Sequence, residues 1–94
     1  MIVGKTDKLI ARARSSPNNF RFDDLLLLAK RVGFIFRNQR GTSHRIYSHS
    51  VFKEFIMNFQ PDRGDRSKAK PYQVRKLISF IDEHPSLGED DDNV

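Results

Sequence analysis

The stretch 33–49, GFIFRNQRGTSHRIYSH, decides the fold because the pattern of apolar residues changes within it. After Gly33 two short runs, FIFRNQ (34–39) and HRIYSH (44–49), are rich in aromatic and β-branched residues. The polar sequence RGTS separates them and supplies a glycine at the turn. This composition predicts a β-hairpin whose second strand begins at His44.

On the N-terminal side of the hairpin the apolar residues follow the helical period. The segment 22–32 has Asp23 and Asp24 in its first turn and Gly33 as its stop, which predicts a helix. The apolar residues that form its inner face are Phe22, Leu25, Leu26, Ala29 and Val32. Further upstream, the segment 5–14 predicts a short basic helix, because its apolar residues lie on one face and its cations on the other.

On the C-terminal side a third strand and another helix are predicted. In EFIMNFQ (54–60), Phe55, Met57 and Phe59 alternate with Glu54, Ile56, Asn58 and Gln60, as in a strand with one buried face. After the polar loop PDRGDRSKAK, Pro71 opens a segment whose apolar residues recur at i, i+3, i+4 and i+7. That spacing predicts a helix over 71–84.

The order helix, three antiparallel strands, helix predicts an α+β domain in which two helices cover one face of the sheet. The other face is expected to stay open. We assign residues 1–17 to an N-terminal helical extension and 18–85 to the domain. Residues 86–94 form an acidic tail with little apolar content, and disorder is expected there.

Composition limits the classes of function. The 94-residue chain has a net charge of +5, and its tail carries four consecutive acids, so the rest of the chain has a charge of +9. A basic domain of this size attracts polyanions, of which nucleic acid is the commonest. The absence of cysteine excludes disulfides and thiolate metal sites and fits a reducing compartment. No apolar run is long enough for a transmembrane segment, so a cytoplasmic protein is expected.

His44 is the candidate for acid–base chemistry. It follows the glycine turn and Ser43, and Arg37, Arg40 and Arg45 are close in sequence. An imidazole titrates near neutral pH, so it can take a proton from an RNA 2′-hydroxyl or give one to a leaving 5′-oxygen while arginines hold the phosphate. The alternative is a surface histidine that only contacts a phosphate or its own backbone.

A second basic group surrounds the start of the last helix. Lys68, Lys70 and Arg75 lie where backbone N–H groups already favour a phosphate, and a solvated loop is the alternative. Tyr47 and Tyr72 are candidates for stacking on a base or, alternatively, for packing. The histidines are too widely spaced for a recognisable metal site, so neither metal nor cofactor is expected.

The sequence GFIFRNQRGTSHRIYSH, followed by FIMNFQPDRGDRSKAKPYQVRKLISFIDEH, resembles the HicA toxins, the messenger-RNA interferases of type II toxin–antitoxin systems. The resemblance covers residues 20–84. It is carried by Gly33-Phe34, by the basic turn from Gly41 to His44, by Ile46-Tyr47, and by the segment from Lys68 to Arg75. The chain departs from the family pattern at Thr42, within Gly-Thr-Ser-His, and at the SHS sequence that stands in place of His-Pro.

The resemblance implies a fold like that of double-stranded-RNA-binding domains, α-β-β-β-α, and a metal-independent endoribonuclease whose catalytic histidine is His44. It also implies a partner, an antitoxin of the HicB type that covers the basic face. A non-catalytic RNA-binding module of the same fold is the alternative. DNA binding is disfavoured, because no helix-turn-helix spacing is present.

Overall fold

The computed structural model describes residues 4–40 and 44–84. Their elements are helices α1 (Lys5–Ser15), α2 (Phe22–Arg31) and α3 (Pro71–Glu83), strands β1 (Phe34–Arg40), β2 (His44–His49) and β3 (Ile56–Phe59), and a short 3-10 turn at Pro17–Asn19. The order α-β-β-β-α after a short N-terminal helix confirms the predicted fold class. Within the described ranges no helix is long and apolar enough to cross a membrane.

The three strands form one antiparallel sheet in the order β1-β2-β3. Its helix-covered face carries buried aromatic and sulfur side chains, since Phe34, Tyr47, Met57 and Phe59 are each at most 2% exposed. These residues belong to the same core as the inner faces of α2 and α3. Two helices therefore cover one face of the sheet, as predicted.

A β-bulge interrupts the pairing of β1 with β2. Phe36 pairs with Tyr47, but Asn38 pairs with Ile46, so Arg37 is an extra residue in β1. The bulge changes which residues of β1 share a face with His44. After it, Asn38 pairs with Ile46 on the face of His44, whereas uninterrupted alternation from Phe34 would assign residue 38 to the helix-covered face.

The start of α3 is attached to the end of β3 by a buried glutamine. Gln73 Nε2 donates to the carbonyl of Asn58 at 2.8 Å, and the N–H of Gln60 donates to Gln73 Oε1 at 3.1 Å. Because Phe59 pairs with Arg45, the N-terminal end of α3 lies at the same end of the sheet as the start of β2.

The loop between β3 and α3 is held against the start of α2. Lys68 forms a β-bridge with Arg21, the N–H of Phe22 donates to the carbonyl of Ser67, and the N–H of Ala69 donates to the carbonyl of Phe20. The helices α2 and α3 thus begin at one end of the molecule.

Candidate nucleic-acid interface

The predicted site residues gather mainly at the end of the molecule where α2, α3 and β2 begin. His44 and Arg45 open β2, Lys68 bridges to the segment before α2, and Lys70 is the N-cap of α3. We call this region the basic end. It combines the hairpin and the last helix, which are separate in the sequence.

His44 lies on the open face of the sheet. In β2, Tyr47 and His49 are buried against the helices, so residues 44, 46 and 48 face the other way. The His44 side chain is half-buried, and among residues 4–40 and 44–84 its ring has no hydrogen-bond partner. No described group therefore occupies the ring nitrogens of His44.

Arg45 lies on the opposite face from His44. Its guanidinium lies 5.8 Å from the centre of the Phe22 ring at the start of α2. Its Nε is buried and has no hydrogen-bond partner within the described residues, which is an unusual and costly state for a donor. Arg45 therefore belongs to the basic end through α2, and it is separated from His44 by the sheet.

Lys68 and Arg75 are oriented by the turn before α2. Lys68 Nζ donates to Asn19 Oδ1 at 3.1 Å, and Arg75 makes a longer contact of 3.4 Å with Asn18 Oδ1. Asp65 shapes the loop, because it accepts hydrogen bonds from the hydroxyl and N–H of Ser67 at 2.6 and 3.0 Å. These two hydrogen bonds hold the pKa of Asp65 below its usual value, and the bond from the Ser67 hydroxyl has the larger effect.

The N-terminus of α3 is the more electropositive of the two helix starts. Neither α2 nor α3 has a side-chain cap, but α2 carries Asp23 and Asp24 in its first turn, which offset the positive end of its dipole. The first turn of α3 contains no acidic residue and is preceded by Lys68 and Lys70. An anion at this end is therefore favoured beside α3.

Arg37 lies on the open face, away from the start of α3. Its Nε donates to the hydroxyl of Ser48 at 2.7 Å, and its side chain is exposed. The bulge makes this contact possible, because it directs both Arg37 and Asn38 to the open face. Ser43 and the side chain of Arg40, which were also predicted to bind RNA, lie outside the part of the chain that the structure describes.

The two tyrosines have different surroundings. Tyr47 is 2% exposed and packs edge-on against Phe36 and Phe59, so it is not available for stacking on a base. Burial raises the pKa of its hydroxyl, and the nearby charge of Arg45 opposes that shift. Tyr72, on the first turn of α3, is 57% exposed and is available.

The other histidines lie at the far end of the molecule. His49 is 1% exposed, and its ring makes hydrogen bonds through both nitrogens to backbone groups. His84 Nδ1 donates a hydrogen bond to the carbonyl of Phe80 at 2.8 Å, near the end of α3. Both are therefore structural. Within residues 4–40 and 44–84 no three potential ligands are grouped to hold a metal ion.

Three residues at the basic end were not identified from the sequence. Arg21, Asn18 and Asn19 lie in and after the turn that ends α1, and they contact Lys68 and Arg75. The sequence separations are 49 residues for Asn19 to Lys68 and 57 residues for Asn18 to Arg75. Contacts between residues so far apart leave no local pattern in the sequence.

Comparison with known proteins adds no relative: no protein-family model, curated protein or solved structure matches this chain.

Proposed function

We propose that this protein is a metal-independent endoribonuclease of the HicA toxin type, in which His44 is the general acid or base. One observation carries the proposal: an imidazole without a described hydrogen-bond partner lies at the end of the molecule where Arg45, Lys68 and Lys70 gather. The resemblance of residues 20–84 to that family supports the same assignment.

The proposed reaction is transesterification at an RNA phosphate. The 2′-oxygen bonds to phosphorus, the bond from phosphorus to the 5′-oxygen breaks, and a 2′,3′-cyclic phosphate and a 5′-hydroxyl result. Neutral His44 accepts the proton of the 2′-hydroxyl while solvent water protonates the leaving 5′-oxygen, or protonated His44 donates to the leaving oxygen while water takes up the 2′-hydroxyl proton. The cations of the basic end and the N-terminus of α3 seat neighbouring phosphates of the RNA backbone.

The same proposal includes a partner and a location. An antitoxin of the HicB type would suppress the activity by covering the basic end. To complement the cations there, it would bring carboxylates. An enzyme that degrades messenger RNA acts where that RNA is translated, which places it in the cytoplasm.

A non-catalytic RNA-binding module is the second candidate. Among the described residues no second acid or base is hydrogen-bonded to His44, and such a partner commonly orients a catalytic imidazole. The two candidates share the basic end and differ only in whether bound RNA is cleaved.

The test is cleavage of a labelled single-stranded RNA in EDTA by the wild type and by His44→Ala. We expect cyclic-phosphate products from the wild type and a loss of about 10²–10⁴-fold in single-turnover rate for the variant. RNA affinity should persist in the variant, and added imidazole should restore part of the rate. Expression of the wild type should arrest growth, whereas His44→Ala should be tolerated.

His84→Gln is the matched control, because it removes an imidazole at the opposite end of the molecule. It should cleave like the wild type. Equal cleavage by His44→Ala, or a strict requirement for Mg²⁺, would refute the mechanism. RNA binding by the wild type without any cleavage would instead establish the non-catalytic module.

A further inference from the structure

Tyr72 is an exposed aromatic side chain at the basic end that the proposed reaction does not use. It lies in the first turn of α3, two residues after the N-cap, and is 57% exposed. Two other aromatic side chains of the described chain are exposed, but Phe36 packs on Tyr47 and Phe52 packs within the aromatic cluster at the far end of α3. No ring among the described residues packs against Tyr72, so packing does not account for this residue.

The hydroxyl end of Tyr72 lies beside the side chain that joins α3 to β3. Gln73 Nε2 lies 3.4 Å from the Tyr72 hydroxyl and donates to the carbonyl of Asn58. Gln73 is 4% exposed, and its Oε1 accepts from the N–H of Gln60, so its amide is fixed at both ends. A ring that lies beside a fixed group loses little conformational freedom when a ligand binds on it.

The same glutamine relates Tyr72 to His44. The Gln73 amide bonds the backbone on both sides of Phe59, which pairs with Arg45, the residue after His44. The strand β3 therefore lies between the Gln73 amide and the start of β2, and neighbouring strands lie about 5 Å apart. One RNA strand of a few nucleotides can reach both Tyr72 and His44.

An exposed tyrosine beside cations suits an unpaired RNA base. Single-stranded RNA is bound by stacking its bases on aromatic rings, while lysines and arginines bind the adjacent phosphates. Lys70, two residues before Tyr72, supplies such a cation. A base within a duplex is already stacked between its neighbours, so only a single strand can offer a base to this ring.

We propose that Tyr72 is a base-binding residue, whose ring stacks on an unpaired base of the RNA strand that passes His44. The contact makes the protein select single-stranded over double-stranded RNA. The position of that base near the cleaved phosphate rests on the proposed function. The stacking contact itself follows from the exposed ring and its place beside Lys70 and Gln73.

Tryptophan fluorescence tests the contact directly, because the chain contains no tryptophan. The variant Tyr72→Trp, made in His44→Ala to keep the RNA intact, is titrated with a short single-stranded RNA. We expect its fluorescence to be quenched, because the base stacks on the indole, and to change little with the same RNA annealed to its complement. Phe52→Trp is the matched control at the opposite end of the molecule, and RNA should leave its fluorescence unchanged.

Affinities measured in the same His44→Ala background give a second readout. Tyr72→Ala should weaken binding of the single strand roughly 5- to 100-fold, the loss expected for one stacked base. It should leave the slope of log affinity against log salt unchanged, because the ring neutralises no phosphate. Tyr72→Phe keeps the ring and should bind like the parent protein. Thermal unfolding checks that each variant is folded.

Unquenched fluorescence of Tyr72→Trp at saturating RNA, equal quenching by single strand and duplex, or equal affinities of Tyr72→Ala and the parent protein would each overturn the proposal. Cleavage is measured separately on the protein with His44 intact. If that protein does not cleave but the quenching and the loss of affinity occur, the nuclease assignment fails and the stacking contact stands. If it cleaves and Tyr72→Ala binds normally, only the assignment of Tyr72 is wrong. Absence of any RNA binding would overturn both.

Discussion

Gly33 and His49 are in direct contact at the end of the sheet remote from His44. Nδ1 of His49 accepts hydrogen bonds from the N–H groups of Val51 and Phe52 at 3.0 and 3.2 Å. Its Nε2 therefore carries the proton and donates to the carbonyl of Val32 at 2.7 Å. The ring thus joins the end of α2 to the loop after β2, and only a residue without a side chain fits beside it.

We expect Gly33→Ala to lower the free energy of unfolding by about 2–4 kcal/mol, combining left-handed strain with overpacking. Gly33 has φ +107°, and an added Cβ would lie 2.7 Å from Nε2 of His49. Urea denaturation monitored by circular dichroism measures the change. Gly64→Ala is the control, because its Cβ would meet only the flexible side chain of Asp62 at 3.3 Å. Equal stability of the two variants would contradict this account of Gly33.

At the scale of elements, α1 is attached to both core helices. Its Leu9, Ile10 and Ala13 are buried in the common core. Arg12 pairs with Asp24 of α2, and Arg14 makes a bidentate pair with Asp82 of α3. The helix of the N-terminal extension therefore packs against both core helices.

The pair of Arg14 and Asp82 should make part of this attachment dependent on pH. The hydrogen bond from Arg14, with its charge, holds the pKa of Asp82 below its usual value of 3.8. A lowered pKa in the folded state means that the stabilisation is present above about pH 4 and is lost as the pH falls through the folded value.

A double-mutant cycle with Arg14→Gln and Asp82→Asn measures this coupling. Thermal unfolding at pH 6 should give a favourable coupling between the two residues, and the coupling should shrink steadily as the pH is lowered below 4. Both side chains are about half-exposed, so the coupling should also fall with added salt. A coupling that stayed constant as the pH was lowered would show that the carboxylate charge is not its source.

At the scale of the whole molecule, the candidate RNA-binding lysines and the aromatic cluster around His49 lie at opposite ends. Cations gather where α2 and α3 begin, whereas Phe52, Phe55 and Phe80 pack with His49 and His84 where α3 ends. A cleft of about 430 Å³ opens among these rings. The aromatic end contributes to the packing of the core, and the basic end is the surface that we propose for RNA.

Lys70→Gln should weaken RNA binding for every sequence and should reduce the slope of log affinity against log salt by roughly 0.7, the value expected for one phosphate contact to a single strand. Fluorescence anisotropy with labelled RNA at several salt concentrations measures both effects. Lys30→Gln removes the same charge from the last turn of α2, at the other end of that helix, and should change neither. Equal effects of the two variants would mean that net charge, rather than the basic end, drives binding.

The sequence by itself determined the elements of this protein, because their signals are local. Each signal reflects one buried face that recurs over a few residues: the helical period in 22–32 and 71–84, and the alternation around Met57. The bounds of α2, β2 and α3 accordingly lie close to those predicted. The position of His44 at the start of β2 follows from the same patterns.

Only the tertiary structure decided which residues share a surface. Strand alternation places His44 and Arg45 on opposite faces of the sheet. Which of the two lies on the open face depends on the face against which α2 and α3 pack. The bulge at Arg37 shifts the pairing register of β1 with β2. Lys68 and Arg75 contact Asn19 and Asn18, which are 49 and 57 residues away in the sequence. These outcomes depend on which strands pair and where helices pack, and such long-range free energies leave no periodic trace in the sequence.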